Sequence, residues 1–490
     1  MKKNWFVKIR AVLLVLTLTL VGCTTTPKVD NASFTIVHTN DTHGRIQEGK
    51  YDGMGFAKIS TYVKNLENDG EDVLLLDAGD TFHGTPFVSL SEGEAAVKVM
   101  NTMGYDAMVP GNHDFNYGRD RLLELAAMAN FPIVCANVID DATGKTILPP
   151  YTILNVNGLK VGIFGLTTAE TTYKTHPKNV KGLTFRNAVD VAREMVAKLD
   201  NKVDVIIALG HLGVDEDSTI TSKSVMDEVE GIDLFIDGHS HTVMQEGLMA
   251  KDGLIVQAGE WDKFLGVVKI NYNMGTVTAK ASLLSKEDAS NLKDDDSVLA
   301  NLDEIKKEND KITEVVVGKT DVLLDGERGD VRTGPTNLGD MICAALIDET
   351  GADFSLQNGG GIRASIKAGE VTKGDIINVL PFGNTVTVLE VTGADMKAVI
   401  ENGIKSIPEA SGGYCHIGGL TFSYDQNKPA GNRVTEILVK GKPIDPNKNY
   451  SLATNDFLAA GGDQYEMLID KKVLAEFGTL DDILVSYMNK

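Results

Sequence analysis

Cysteine is scarce in this sequence, since its 490 residues contain only four. Cys23 lies near the N-terminus, and Cys135, Cys343 and Cys415 are scattered over the rest of the chain. This number and spacing exclude a disulfide-stabilised small domain and a zinc–thiolate motif. Cys135 and Cys343 lie in apolar contexts, so we expect them to be small core residues.

Basic residues are in deficit: 47 lysines and arginines stand against 69 aspartates and glutamates, for a net charge of −22. A surface of this sign repels nucleic acid and anionic membranes at long range, which argues against a nucleic-acid partner. If the substrate is an anion, local positive charge must outweigh this field. Metal ligands and clustered arginines are therefore the features to look for.

Long apolar runs are missing after the N-terminus. Four basic residues precede an apolar run at 11–21 that is too short to span a bilayer, which predicts a secretory signal peptide over residues 1–23. Leu20-Val21-Gly22-Cys23 resembles the bacterial lipobox, whose cysteine is acylated after cleavage. An ordinary signal peptide with an unrelated cysteine is the alternative. The sequence thus predicts an exported cell-envelope lipoprotein, anchored at Cys23, facing the periplasm or the cell exterior and touching the membrane through its lipid anchor only.

The first half of the chain alternates short apolar runs with helical patterns. The runs are rich in Val, Ile and Leu and are continuous rather than alternating, which is typical of buried strands in an α/β sandwich. They lie at 34–37, 73–76, 107–109, 161–164, 205–209 and 234–236.

A change of pattern near residue 294 divides the chain. Apolar residues follow helical spacing there, acids come first and lysines cluster towards the end, which suits the helix dipole. We interpret 296–315 as a linker helix between an N-terminal domain (24–295) and a smaller α/β domain (316–490). A surface helix of the first domain is the alternative.

Five short segments, each after one predicted strand, carry side chains that bind metals or phosphate. They are 38–44 (HTNDTHG), 76–80 (LDAGD), 111–114 (GNHD), 210–213 (GHLG) and 237–241 (DGHSH). Ligands bind beyond the carboxyl ends of strands in open α/β sheets, so we expect the five loops to converge. Any one segment is weak evidence, because Asp-x-His also occurs in ordinary turns, but six of the nine histidines lie in these five.

The residue types suit two divalent cations. Two sets of three side chains could each hold one ion, with Asp80 bridging both: Asp41, His43 and His241; Asn112, His211 and His239. Imidazole with carboxylate favours zinc, manganese, iron or cobalt over calcium or magnesium. A metal pair ~3.5–4 Å apart lowers the pKa of a shared water and stabilises an in-line phosphoryl displacement.

The order Asp-x-His, Gly-Asp, Gly-Asn-His, Gly-His and Gly-His-x-His resembles the calcineurin-like metallophosphoesterases. The opening His-Thr-Asn-Asp-x-His-Gly resembles their 5′-nucleotidase branch. The resemblance implies an N-terminal four-layer αββα sandwich and makes the same seven residues the metal ligands. It also implies that His113 contacts the phosphate and stabilises the developing charge, a role worth roughly 10²- to 10³-fold in rate.

One departure from the family pattern concerns the residues beside His113. The family usually reads Gly-Asn-His-Glu-Phe-Asp, and its final Asp orients the histidine, whereas this chain has Asp114 and ends the motif with Asn116. We count both with His113 as catalytic residues. Asn116 can accept a hydrogen bond but cannot stabilise an imidazolium by charge, so we expect His113 to be less basic than its counterparts.

Three histidines match no ligand position: His83, His176 and His416. We expect them to be surface or hydrogen-bonded structural residues.

The second domain offers groups suited to a nucleotide. Arg328, Arg332 and Arg363 could bind phosphate oxygens bidentately, although arginines alone are more often surface charges. Phe382 and Phe457 lie on Gly-containing loops and could stack on a base, for roughly 1–3 kcal/mol per base. Ordinary core packing is the alternative for each phenylalanine.

This whole stretch is similar to the C-terminal domain of 5′-nucleotidases, including the bacterial UDP-sugar hydrolase type. The resemblance implies phosphate binding by the three arginines and base stacking by the two phenylalanines. It further implies hydrogen bonds to the nucleoside from Asn358, Asn384 and Asp463, and a rotation of the second domain about the linker helix.

The sequence therefore predicts metal-dependent hydrolysis of nucleoside 5′-monophosphates, with UDP-sugars and other nucleotides as further substrates. The alternatives are a UDP-sugar or NAD pyrophosphatase, a 2′,3′-cyclic-nucleotide phosphodiesterase with 3′-nucleotidase activity, and a non-catalytic nucleotide-binding surface protein. The complete ligand set argues against the last. The metals and the oligomeric state stay open.

Overall fold

The computed structural model describes residues 30–49, 53–172, 174–175, 177–215, 218–251 and 253–490. The predicted signal peptide and its lipidation site Cys23 lie outside these residues. Among the described helices, none combines the length and the apolar character needed to cross a lipid bilayer.

The N-terminal domain is built on two mixed sheets. Its strands are β1 (Asn31–Thr39), β2 (Val73–Asp77), β3 (Ala107–Met108), β4 (Val138–Asp140), β5 (Lys145–Thr146), β6 (Tyr151–Val156), β7 (Leu159–Thr167), β8 (Leu183–Phe185), β9 (Val205–His211), β10 (Leu234–Ile236), β11 (Leu248–Met249), β12 (Leu254–Val256), β13 (Phe264–Asn273) and β14 (Thr276–Ser285). Its helices are α1 (Phe56–Asn68), α2 (Pro86–Ser89), α3 (Glu94–Met103), α4 (Arg119–Met128), α5 (Ala188–Leu199) and α6 (Ser222–Glu228).

The two sheets have the strand orders β14-β13-β1-β2-β3 and β11-β12-β10-β9-β7-β6. Strands β1, β2 and β3 run parallel in the first sheet, and β7, β9, β10 and β12 run parallel in the second. All six predicted apolar runs lie in or overlap these strands. The parallel arrangement brings the loops after β1, β2, β3, β9 and β10 to the carboxyl ends of their sheets.

The apolar residues divide into three clusters that define four layers. One cluster, including Ile36 and Ile207, fills the space between the sheets. A second packs α1 and α3 on the outside of the first sheet, and a third packs α5 and α6 on the outside of the second. The predicted αββα sandwich is therefore confirmed, and its parallel strands are buried on both faces, which explains their continuous apolar runs.

Helix α7 (Asp296–Thr313) follows the first domain. Its N-cap Asp295 accepts hydrogen bonds from the backbone N–H groups of Ser297 and Val298, which explains the acidic start of the pattern. Its buried face, including Val298 and Ile305, belongs to the core cluster of α1 and α3. The helix is thus anchored on the N-terminal domain and also contacts helix α9 (Lys373–Val379) of the second domain.

The C-terminal domain has its own core. Its strands are β15 (Val316–Thr320), β16 (Phe354–Asn358), β17 (Gly369–Thr372), β18 (Thr385–Thr392), β19 (Cys415–Gly418), β20 (Thr421–Tyr424), β21 (Val434–Val439), β22 (Lys442–Pro443), β23 (Asn449–Asn455) and β24 (Val473–Thr479). Its helices are α8 (Asn337–Thr350), α9 (Lys373–Val379), α10 (Gly393–Ile404), α11 (Asp456–Ala459) and α12 (Leu480–Met488). A sheet of order β19-β16-β23-β18-β24 carries α8, α9 and α12 on one face and α10 and α11 on the other, as the predicted smaller α/β domain requires.

Candidate active site

The five predicted segments meet at one edge of the N-terminal sandwich. Backbone hydrogen bonds join the first two, since the N–H groups of Asp41 and His43 donate to the carbonyls of Gly79 and Asp80 at 2.9 Å each. The N–H of His239 donates to both carboxylate oxygens of Asp41, at 3.1 and 3.0 Å. Loops from both sheets therefore hold one another in place.

The backbone of this edge is strained. Five of the seven predicted ligands have a positive φ, a region that costs a non-glycine residue roughly 1–2 kcal/mol. They are Asp41 (51°), His43 (47°), Asp80 (59°), His239 (77°) and His241 (52°). Residues held in such conformations concentrate at functional sites, where the surrounding packing fixes the direction of each side chain.

One group of side chains comprises Asp41, His43 and His241, whose potential ligand atoms lie within 4.8 Å of one another. The Nε2 atoms of the two histidines face each other at 3.2 Å, and Asp41 Oδ1 lies 3.4 Å from His241 Nε2. Two imidazole nitrogens and a carboxylate oxygen that point at a common centre suit a cation better than they suit hydrogen bonds among themselves.

A second group surrounds His211 and His239. His211 Nε2 lies 3.1 Å from Asp80 Oδ2, yet this completely buried nitrogen makes no well-formed hydrogen bond among the described residues. His239 Nδ1 lies 2.8 Å from Asn112 Oδ1. Asp80 occurs in candidate groups on both sides, once with Asp41 and His211 and once with His43 and His113, as expected of a bridging carboxylate.

The electrostatics favour positive charge at this centre. Burial lowers the pKa of His211, but the carboxylates of Asp80 and Asp41 outweigh it and raise the pKa to about 10. Burial also lowers the pKa of His241, but Asp41 and Glu260 outweigh it and raise this pKa to about 10. The carboxylates of Asp80 and Asp41 thus surround His211 Nε2, which has no hydrogen-bond partner among the described residues. This arrangement fits a divalent metal centre.

Asp114 lies under the centre rather than in it. Its buried carboxylate accepts hydrogen bonds from the backbone N–H groups of Asp80, Thr81, Phe82 and Gly111, at 2.8 to 3.0 Å. These bonds fix the loop that carries Asp80. Asp114 therefore acts as a positioning residue for that loop.

His113 faces the cavity beside the centre, and its ring is held by Asn116. The Asn116 Nδ2 atom lies 3.1 Å from His113 Nδ1, while Asn116 Oδ1 accepts a hydrogen bond of 2.7 Å from the Thr175 hydroxyl. Asn116 thus donates to the histidine, and the expectation that it accepts is wrong because its oxygen points towards Thr175 and its NH2 group towards His113. Because Asn116 donates to Nδ1, a neutral His113 carries its proton on Nε2. This Nε2 atom lies 3.7 Å from Glu476 Oε2.

The C-terminal residues line a cavity of about 640 Å³ between the domains. Six predicted substrate residues contribute to its wall: Arg332, Asn358, Phe382, Asn384, Phe457 and Asp463. A second cavity of about 410 Å³ is lined by predicted ligands and His113. Arg45, Trp261, Asn384 and Phe457 line both, so the two cavities adjoin.

The two phenylalanines and their polar neighbours are arranged around this cavity. Phe382 and Phe457 are each 46% exposed, so neither is a core residue. Asn358 donates to Asp463 at 2.8 Å, and Asn384 donates to Asp456 at 2.6 Å. Two half-exposed aromatic rings beside hydrogen-bonded amide and carboxylate groups form a site that suits a flat heterocycle with hydroxyl groups.

The three arginines lie close enough to affect one another. Burial and repulsion from Arg328 and Arg363 lower the pKa of Arg332, whose buried Nε has no hydrogen-bond partner among the described residues. The Arg363 guanidinium lies 5.6 Å from the centre of the Phe382 ring. Arg328 is exposed. The predicted cluster is thus assembled, with Arg332 in the cavity wall.

Sequence reasoning missed several residues of this site. Arg45 stacks on Trp261 at 3.9 Å and both line the two cavities, while Lys174 and Glu476 line the smaller one. Glu260 contacts His241. Arg45 directly follows the first motif, and Trp261 is one of only two tryptophans, so position and rarity could have indicated these two.

The histidines outside the motifs differ from one another. His416 is buried and its Nε2 lies 2.9 Å from the Val331 carbonyl, as a structural histidine should. His83 is buried against His113 and Tyr117, but neither of its ring nitrogens has a hydrogen-bond partner among the described residues, so the expectation is wrong for His83. His176 lies outside the described residues.

Two family models match the chain in succession. The calcineurin-like phosphoesterase model matches residues 34–243, and the 5′-nucleotidase C-terminal domain model matches residues 316–470. The matched regions correspond to the two halves of the site described above.

Individual relatives match across both regions. A 5′-nucleotidase of Vibrio cholerae is 31% identical, over 96% of this chain and 93% of its own length. The trifunctional nucleotide phosphoesterase protein YfkN of Bacillus subtilis is 32% identical over 93% of this chain, which spans 34% of that longer protein. A crystal structure of a 5′-nucleotidase precursor from Thermus thermophilus has 30% identity and a TM-score of 0.57, covering 94% of this chain and 96% of that one. The chain therefore belongs to the 5′-nucleotidase family, in which a calcineurin-like metallophosphoesterase domain precedes a 5′-nucleotidase C-terminal domain, and it is a phosphoric monoester hydrolase with a divalent metal centre.

Proposed function

We propose that this protein hydrolyses nucleoside 5′-monophosphates to nucleoside and orthophosphate. The observation that carries the proposal is the adjoining pair of cavities. One has two exposed phenylalanines and groups suited to a nucleoside, and the other has His113 and the candidate metal ligands. A nucleotide with its base in the larger cavity extends its phosphate towards the smaller one.

The residues that would hold two divalent ions are Asp41, His43, Asp80, Asn112, His211, His239 and His241. Zinc, manganese, cobalt and iron suit this donor set. Bound there, the ions would activate water and neutralise charge on the phosphate.

The chain's own residues perform the remaining steps. Phe382 and Phe457 stack on the base, and Asp463 and Asn358 orient the ribose, with Asn384 at the junction of the cavities. Arg328, Arg332 and Arg363 offset the net charge of −22 where the anion enters. His113 donates a hydrogen bond from Nε2 to a phosphate oxygen and stabilises the charge that develops there.

We further propose that the protein is exported and anchored in the cell envelope through an acylated Cys23. The signal peptide and lipobox pattern of residues 1–23 support this location. A nucleotidase placed there would serve nucleotide scavenging, and its contact with the membrane would be the lipid anchor alone.

The test is phosphate release from AMP by the protein without its predicted signal peptide (residues 24–490), after chelation and addition of manganese, zinc or cobalt. We expect metal-dependent release, and in His113→Ala a loss of roughly 10²- to 10³-fold in kcat. UDP-glucose and 2′,3′-cyclic AMP then rank the specificity and test the diphosphate and cyclic-phosphodiester alternatives. A folded protein that releases no phosphate from any nucleotide with any of the metals would refute the proposal.

A further inference from the structure

Each imidazole at the candidate metal centre uses one ring nitrogen towards the centre, so its other nitrogen needs a partner on the outside. The outer partner decides which tautomer the ring adopts and which way it points. For His211 the inner atom is Nε2, and Nδ1 lies 2.6 Å from the Ala78 carbonyl oxygen. That partner is backbone, so no side chain is needed for it.

His239 has a side-chain partner instead. Its Nδ1 faces Asn112, and its Nε2 lies 3.0 Å from Glu170 Oε2. Glu170 follows β7 and is 8% exposed, and its Oε2 is also 3.6 Å from Lys174 Nζ. Glu170 is outside the five motif segments.

His241 repeats this arrangement at the other side of the centre. Its Nε2 faces Asp41 and His43, and its Nδ1 lies 3.0 Å from Glu260 Oε2. The other oxygen of Glu260 accepts a hydrogen bond of 2.8 Å from Lys263. Each of the two histidines therefore has a glutamate behind it, and each glutamate has a lysine three or four residues later.

We infer that Glu170 and Glu260 are positioning residues that fix the tautomer and orientation of His239 and His241, one glutamate for each ion of the proposed pair. A carboxylate acceptor keeps the outer nitrogen protonated and leaves the inner nitrogen free to bind a cation, and it strengthens that nitrogen as a donor. The paired lysine balances the added negative charge. The inference rests on the proposed function only in taking this centre as the metal site.

The geometry predicts that the two glutamates act on different ions. Glu170 acts through His239 on the position shared with Asn112 and His211, and Glu260 acts through His241 on the position shared with Asp41 and His43. If Glu170 and Glu260 only stabilised the fold, substituting one of them would not affect the two ion positions differently.

The test is calorimetric titration of Mn²⁺ into chelator-treated protein (residues 24–490), for the wild type, Glu170→Gln, Glu260→Gln and the double variant. We expect each single variant to weaken one of two binding steps by about 10- to 100-fold, and the double variant to weaken both. Glu170→Asp and Glu260→Asp, which keep the charge, should recover part of the loss.

Glu194→Gln is the matched control, since Glu194 forms an exposed ion pair with Arg186 at 2.6 Å on the surface helix α5. It should bind Mn²⁺ as the wild type does, and the melting temperatures of all metal-free variants should stay close to that of the wild type. Wild-type Mn²⁺ affinities in both glutamine variants, or equal weakening of both steps by each, would overturn the inference. Those results would leave phosphate release by the wild-type protein, and with it the proposed function, intact.

Discussion

The two halves of the active site are built in opposite ways. In the N-terminal half, Asp41, Asp80 and His211 are 0 to 2% exposed. Asp41 and Asp80 lie on strained backbone of positive φ, and hydrogen bonds between the loops hold them in place. In the C-terminal half, Phe382 and Phe457 are each 46% exposed. A metal centre needs ligands fixed in advance, because converging charges are tolerated only in a rigid, paired arrangement. A nucleoside site can leave its aromatic faces exposed until the base covers them.

The first prediction, which has the largest expected effect, compares the substitution of one acidic residue in each half of the site. Asp80→Ala should abolish the bridge between the two candidate groups and reduce kcat by on the order of 10³-fold, because several kcal/mol of transition-state stabilisation are lost. Asp463→Ala should instead raise KM while bound metal stays at the wild-type level. Steady-state kinetics with metal analysis of both variants checks this, and loss of metal from Asp463→Ala would contradict the division.

The second prediction concerns the aromatic pair. Phe382→Ala and Phe457→Ala should each raise KM for AMP by about 5- to 150-fold, since stacking contributes roughly 1–3 kcal/mol per base. Hydrolysis of ribose 5-phosphate, which has no base, should change little in either variant. Equal losses for AMP and ribose 5-phosphate would show that the rings support the fold rather than bind the base.

The third prediction tests the contact between the halves. Gly383 has φ of 64°, and a Cβ there would lie 2.7 Å from the Gly84 carbonyl of the N-terminal domain. Gly383→Ala should lower kcat/KM by about 5- to 30-fold, because relieving this clash, at a cost of ~1–2 kcal/mol, moves the two halves of the site apart. Gly441→Ala is the control, because Gly441 has φ of 75° and open space around it. It should cost stability but leave kcat/KM unchanged; equal kinetics for the two variants would argue against the contact.

The fourth prediction, which has the smallest expected effect, concerns Asp106 and the pH dependence of the stability of the fold. Burial raises the pKa of Asp106 to about 6, although its Oδ2 accepts a 2.8 Å hydrogen bond from the Leu75 N–H. The folded state thus holds this proton more tightly than the unfolded chain does, so the ionised carboxylate destabilises the fold as the pH rises through about 6. Asp106→Asn keeps the acceptor and should raise the melting temperature at pH 8 but not at pH 4. An equal shift at both pH values would contradict the assignment.

Much of the fold could be read from the sequence because parallel strands buried on both faces must be continuously apolar. This is why β2, β9 and β10 were predicted close to their observed bounds. The same logic brought the five motifs together, since each follows a strand of one sandwich. Asn116 was interpreted wrongly because its partner Thr175 lies 59 residues away and decides which of its amide atoms faces His113.

No local sequence pattern indicated Glu170 and Glu260 as residues of the site either. Glu170 meets His239 across 69 residues, and an isolated glutamate in a loop resembles any solvated acid. The sequence by itself determined the α/β class, and it supplied the candidate ligand types and their order along the chain, because these depend on residue chemistry and local periodicity. Only the tertiary structure decided which nitrogen of each histidine faces the centre, which residues stand behind it and how the two cavities adjoin. Those features arise from contacts between segments far apart in the chain, and no local pattern records them.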